Sequence, residues 1–272
     1  MKELNNNNFT DAINMWLHAK TLCINLYGHI SKWNTKYITN MDYIFSNSTF
    51  NDDISNWNVS NVTSMKNMFS CNYNFNYDIS KWNVSNVENM SSMFNETIFN
   101  KELNTWSVDN VTNMSNMFNK SIFNQNLNKW NIVNVNDTSW MFANSKFNKD
   151  ISNWKTRNIK DTSYMFYNSN FDKDIYNWNI KNIENMSYMF YNSNFNKDIS
   201  NWNISNCDTR YMFTNSLYSY IKPQENIIPK IYNTVNNTTM YIKNNINDFI
   251  PNKNNMIPFI SGLYAGLFWN KL

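Results

Sequence analysis

The sequence predicts an α/β repeat solenoid of about eight coils, each built from one short parallel strand and one short helix, with helical caps at both ends. Three observations carry this reading. A tryptophan returns at Trp33, Trp57, Trp82, Trp106, Trp130, Trp154, Trp178 and Trp202, every 24 residues with one step of 25. Repeats of this length are single structural units that bury a continuous core only by stacking on their neighbours. Inside each unit the apolar spacing changes from the strand period to the helical one. From His29 to Lys222 there is neither Gly nor Pro, so the turns must use Asn, Asp or Ser, which tolerate left-handed backbone and cap themselves.

Residues 1–25 read as an N-terminal capping helix. Ile13, Trp16, Leu17, Lys20 and Leu22 fall at roughly helical spacing after Thr10 or Asp11 as N-cap. The repeat region spans 26–220. Its first coil carries Gly28 and Tyr37, departures expected of a terminal repeat. The coil from Phe50 shows the general rule. Trp57 and Val59 alternate with Asn58 and Ser60, as in a strand with one buried face. Val62, Met65, Met68 and Phe69 then make a helical stripe, with Asn61 or Thr63 as N-cap.

Parallel stacking lays equivalent side chains about 4.8 Å apart as ladders. The tryptophan ladder from Trp57 to Trp202 dominates the energetics. One ring burying roughly 150–250 Å² at ~25 cal/mol/Å² gains on the order of 4–6 kcal/mol before ordering entropy. Phenylalanines (Phe50, Phe75, Phe99, Phe123, Phe147, Phe171, Phe195) and aliphatics (Ile54, Ile79, Leu103, Leu127, Ile151, Ile175, Ile199) form two more core ladders. Asn61, Asn86, Asn110, Asn134, Asn158, Asn182 and Asn206 recur four residues after the tryptophan. They are expected to be a buried structural ladder, each amide bonding its own coil's backbone and the next amide, rather than a binding feature. The last coil is one residue shorter between Trp202 and Phe213, which puts Arg210 near the slot of a core Met and ends the stack.

Residues 221–272 differ in composition, holding all four prolines and two of the three glycines. Ile228, Ile231, Val235, Thr238, Ile242, Ile246 and Phe249 predict an amphipathic helix ending near Pro251. The apolar run 256–269, with Gly262, Gly266 and Trp269, is too short to span a bilayer, which needs about 20 residues. Three readings of this tail stand: a cap over the last coil, a membrane-associating or re-entrant segment using Gly-x-x-x-Gly, and a self-association element.

Composition narrows the function. Hydrophobic residues make up 42% and aromatics 17%, enough for a large core. The net charge of +3, spread over 23 basic and 20 acidic residues without a basic run, gives no footprint for nucleic acid. Asparagine is about a fifth of the chain, much of it the composition of an AT-rich genome. Cys23, Cys71 and Cys207 have neither disulfide nor zinc spacing. The start, MKELNNNNF, has no apolar stretch for a secretory signal, so classical export is not expected.

The repeat Ile54-Ser55-Asn56-Trp57-Asn58-Val59-Ser60-Asn61-Val62 has the rhythm of leucine-rich repeats with Trp in one Leu slot. The longer strings WNVSNVTSMKNMF, WNVSNVENMSSMF and WSVDNVTNMSNMF resemble the BspA-like leucine-rich-repeat surface proteins, in the form found in AT-rich wall-less bacteria and in large DNA viruses. The likeness covers about 190 residues. It implies a leucine-rich-repeat-like fold and a surface-exposed, adhesive role on a cell or virus particle. Two departures are the absent signal peptide and an Asn ladder one position earlier than in the common repeat.

No catalytic constellation emerges. His18 and His29 lie in the cap region with nothing convergent around them, and phosphate loops, zinc motifs and nucleophile elbows are missing. Asp53, Asp78, Glu102, Asp150, Asp174 and Asp198 recur four before the tryptophan, a row read as turn-bonding rather than calcium-binding. No enzyme, cofactor or metal is expected. One slot varies. Ten residues after the tryptophan, early coils carry Asn67, Ser92 and Asn116, and later ones Trp140, Tyr164, Tyr188 and, past the deletion, Tyr211; Tyr167 and Tyr191 follow three residues on. On a helical stripe these rings point outward on the convex side. They make either a partner site or a packing surface for neighbouring helices. The predicted role is therefore an extended surface for a protein or glycan partner. The alternative is a structural or membrane-tethered scaffold acting through 256–269. The sequence leaves the oligomeric state open.

Overall fold

The computed structural model describes residues 2–217. The chain divides into two units, 1–231 and 232–272. The proposed tail helix and the run with Gly262, Gly266 and Trp269 lie outside the described residues.

Two helices open the chain, α1 (Phe9–His18) and α2 (Lys20–Tyr27), followed by a 3-10 turn at Ile30–Lys32. The single helix expected over 9–25 is thus broken at Ala19 and reaches Tyr27. Its N-cap position is Asn8, not Thr10 or Asp11; Asn8 turns its Oδ1 to the Asn5 N–H at 3.0 Å instead of capping the helix. Phe9, Ala12, Ile13 and Trp16 are buried, while Leu22 is exposed. Phe9 and Trp16 set their rings edge-on to Trp33, covering the first coil. Gly28 ends α2 at φ 78°, a conformation that a Cβ would oppose.

After the cap the chain repeats. Parallel single-residue bridges join Asn40, Ser64, Asn89, Asn113, Asp137, Asp161, Asn185 and Asp208 in unbroken succession. Each 24-residue unit therefore lies in register on the one before. The local structure differs from the expected strand and helix. Trp57 and Val59 form no strand, and the bridge falls seven residues after the tryptophan, inside the predicted helix. No α-helix forms over Val62–Phe69 or its equivalents among the described residues.

The backbone shows why. The N–H groups of Met65, Asn67, Phe69 and Cys71 donate to the carbonyls of Asn89, Ser91, Met93 and Asn95 in the next coil, at 2.9–3.0 Å. The intervening Met68, Ser70 and Asn72 donate back three residues, to Met65, Asn67 and Phe69. Asn67 and Cys71 are left-handed at φ 54° and 56°, and the same pair of slots is left-handed in every coil. A left-handed residue every fourth position cannot propagate an α-helix. Asn and Ser, which bond their own backbone, are also poor helix interiors. Met65, Met68 and Phe69 are still fully buried. Spacing of three and four is satisfied as well by successive tight turns as by a helix.

One buried apolar cluster runs from Leu4 to Phe213. From Trp57 to Trp178 the tryptophan indoles donate to a carbonyl of the preceding coil, Trp106 to Ile79 at 3.1 Å and Trp130 to Leu103 at 2.9 Å. Beside them stand two phenylalanine columns. Phe69, Phe94, Phe118, Phe142, Phe166 and Phe190 stack from coil to coil at 5.6–5.9 Å. Each also lies face to face on the other column, as Phe142 does on Phe147 at 4.0 Å.

In the last coil the missing residue lies beside Cys207. Cys207 keeps the turn to Ile204 that Ile183 makes to Ile180, yet Met186 already donates to Asp208. The core Met slot is consequently held by Thr209. Arg210 takes the slot of Ser187, exposed and paired to Asp208 at 2.7 Å.

Candidate recognition surface

The variable slot is the first of the two left-handed positions. Trp140, Tyr164, Tyr188 and Tyr211 have φ of 61°, 59°, 58° and 59°. The left-handed turn, not a helical stripe, is what turns their rings outward. They stack into a column: Trp140 on Tyr164 at 4.0 Å, Tyr164 on Tyr188 at 4.6 Å, and Tyr188 on Tyr211 at 4.8 Å. Tyr167 and Tyr191 form a second column at 5.2 Å. The two columns meet at 44–49°. Tyr211 is exposed, and the other five are half-buried, mainly by one another. Ring faces are used within the column, so edges and hydroxyls are what a partner meets. Burial first, then Tyr167, pushes the Tyr164 phenol above its ordinary pKa; burial, then Tyr164 and Tyr211, does the same for Tyr188. Both are hydrogen-bond donors at neutral pH.

Sequence reasoning missed Tyr43, which occupies the same slot in the first coil at φ 61° and is exposed, with no ring in the next coil to stack on. It also missed the second left-handed slot. There Asn168 donates its amide to Asn144 at 2.9 Å, and Asn192 to Asn168 at 2.7 Å. This is the amide-on-amide ladder expected elsewhere. Its signal was Asn recurring two residues after the Met-Phe phenylalanine.

The ladder from Asn61 to Asn206 is exposed rather than buried. Asn61, Asn86, Asn110, Asn134, Asn158 and Asn182 donate their amides to carbonyls of the preceding coil at 2.6–2.7 Å. These bonds staple one coil to the next. The acidic row bonds turns: Asp53, Asp78, Asp150, Asp174 and Asp198 accept the N–H two residues on at 2.8–2.9 Å. Ser55, by its hydroxyl and then its amide, holds the Asp53 carboxyl below the usual range. The Ser80 and Ser152 amides, then their hydroxyls, do so for Asp78 and Asp150.

The remaining candidates are scattered. His29 lies edge-on against Trp16 at 5.0 Å and contacts Ser31. Cys23 is buried, and burial pushes the Cys207 thiol to about 11. Among the described residues no group of His, Cys, Asp and Glu is arranged to hold a metal, and no helix is long and apolar enough to cross a membrane.

Units bridged in register around one continuous apolar core are the features of a stacked-repeat protein. The family described as Mycoplasma protein of unknown function, DUF285, matches residues 10–130 and again 119–224, and the chain belongs to that family. No curated protein and no solved structure matches it.

Proposed function

We propose that this chain is a non-catalytic repeat protein of the BspA-like leucine-rich-repeat kind. It presents an extended surface on a cell or virus particle, and its anchor for a protein partner is the column Trp140, Tyr164, Tyr188 and Tyr211 with Tyr167 and Tyr191. The observation that carries this is bulky rings held left-handed in four successive coils. Such a backbone costs roughly 1–2 kcal/mol per non-glycine residue, and Asn67 and Asn116 fill the same slot more cheaply. An outlying backbone kept for large rings, with no net gain in stability over Asn, points to a functional position. A protein partner fits better than a stacked sugar because the ring faces are already occupied.

Site-specific photocrosslinking in the native host tests this. A photoreactive phenylalanine at Tyr188 is expected to trap a discrete protein adduct that the same probe at exposed Lys129 does not. The adduct should vanish in the chain carrying Tyr164→Asn and Tyr211→Asn. Equal labelling from both positions would sink the reading. The rival, a membrane-tethered scaffold suggested by the apolar run 256–269, predicts salt-resistant liposome binding that is lost on deleting residues 221–272.

A further inference from the structure

A second face carries a shallow polar groove beside the exposed Asn ladder. Its two stretches meet at Asn134 and together follow the row from Asn61 to Asn206. The ladder amides fix its chemistry. Each donates its Nδ2 to a carbonyl, which cannot itself donate, so the identity of the other atom is settled as Oδ1. Among the described residues nothing donates to those oxygens. Six successive coils, from Asn61 to Asn182, thus each present one exposed acceptor, held by the bond on the other side of the same amide and repeated at the coil spacing of about 4.8 Å. Over its whole length the lining carries two carboxylates, Glu88 and Glu184, and two cations, Lys160 and Lys181, so its charges cancel in sum, and no aromatic ring is among the described lining residues.

We propose that this groove binds a linear, uncharged polysaccharide, one sugar per coil, whose hydroxyls donate to the carboxamide oxygens of Asn61, Asn86, Asn110, Asn134, Asn158 and Asn182. The ligand must carry groups that both donate and accept, as hydroxyls do, because each amide keeps its Oδ1 and the second N–H of its Nδ2. It must be neutral, because the flanking charges cancel and no cationic track exists for a polyanion. It must repeat in step with the coils. An extended chain of β-linked pyranoses advances by nearly that distance per sugar. A peptide strand turns an N–H to one side only every second residue, about 6.6–6.8 Å apart, and falls out of step. The site is separate from the aromatic column and stands without it.

Affinity electrophoresis of the full chain through native gels tests the proposal. The gels contain hydroxyethylcellulose, laminarin or galactomannan, with heparin as the polyanion. Retardation by at least one neutral β-linked glycan is expected, and none by heparin at physiological salt. Asn136→Ile with Lys160→Ile makes the middle of the groove apolar, at side chains that make no hydrogen bond among the described residues. This variant should bind at least tenfold more weakly while keeping its circular dichroism, whereas Tyr164→Asn with Tyr188→Asn should bind as before. Migration unaffected by every neutral glycan, retardation by heparin alone, or undiminished binding by the folded isoleucine variant would each overturn it.

Discussion

Aromatic rings at left-handed positions set two residue-scale energies against each other. Stacked pairs contribute about 0.5–1.5 kcal/mol each beyond burial, comparable with the backbone cost of roughly 1–2 kcal/mol. Stacking therefore about offsets strain, and Tyr164→Asn should change stability by no more than ~1 kcal/mol, read from the urea midpoint. A large loss would mean the column is a stability element. Trp130 is the opposite case. It is buried and donates to Leu103 at 2.9 Å. Trp130→Ala should cost about 3–5 kcal/mol, seen as a lower denaturation midpoint.

At the scale of the element, the coil is a run of turns in which alternate N–H donors between the bridge and the second left-handed residue belong to the neighbour. Its acidic row supplies a pH dependence with a definite sign. Asp53, Asp78 and Asp150 have pKa values lowered in the folded chain by their serine bonds. Their contribution is present above the ordinary aspartate value of 3.8 and is lost as pH falls through the lower folded values. Replacing all three with Asn should flatten the acid limb of a stability–pH curve and leave the neutral region's slope unchanged. The coil was also where sequence reading went furthest and then erred. Trp57, Ile54 and Phe50 were legible as core because their recurrence is strict. The helix over Val62–Phe69 was not, because its apolar period is shared by stacked turns, and the deciding fact, left-handed Asn67 and Cys71, has no hydrophobic signature. The outward column was legible from variation at one slot. The outward Asn61 row was misread as buried, because strict recurrence looks the same whether it serves a core or a staple.

For the whole stack of described coils, stability is a sum of similar interfaces, and no coil can bury its own faces. The parallel bridges all pair equivalent residues, Asn89 with Asn113 and Asn113 with Asp137, so register is conserved modulo one repeat. The most direct measurement compares two deletions in the full chain by circular dichroism and urea unfolding. Removing residues 107–130 takes out one 24-residue unit and rejoins Trp106 to Asn131 in the repeat pattern. This chain should fold cooperatively with a modestly lower midpoint. Removing residues 107–118 takes out half as much but puts every later ladder out of register, and this chain should fail to fold cooperatively. The opposite order of damage, with the longer deletion the more harmful, would contradict in-register stacking as the basis of the fold.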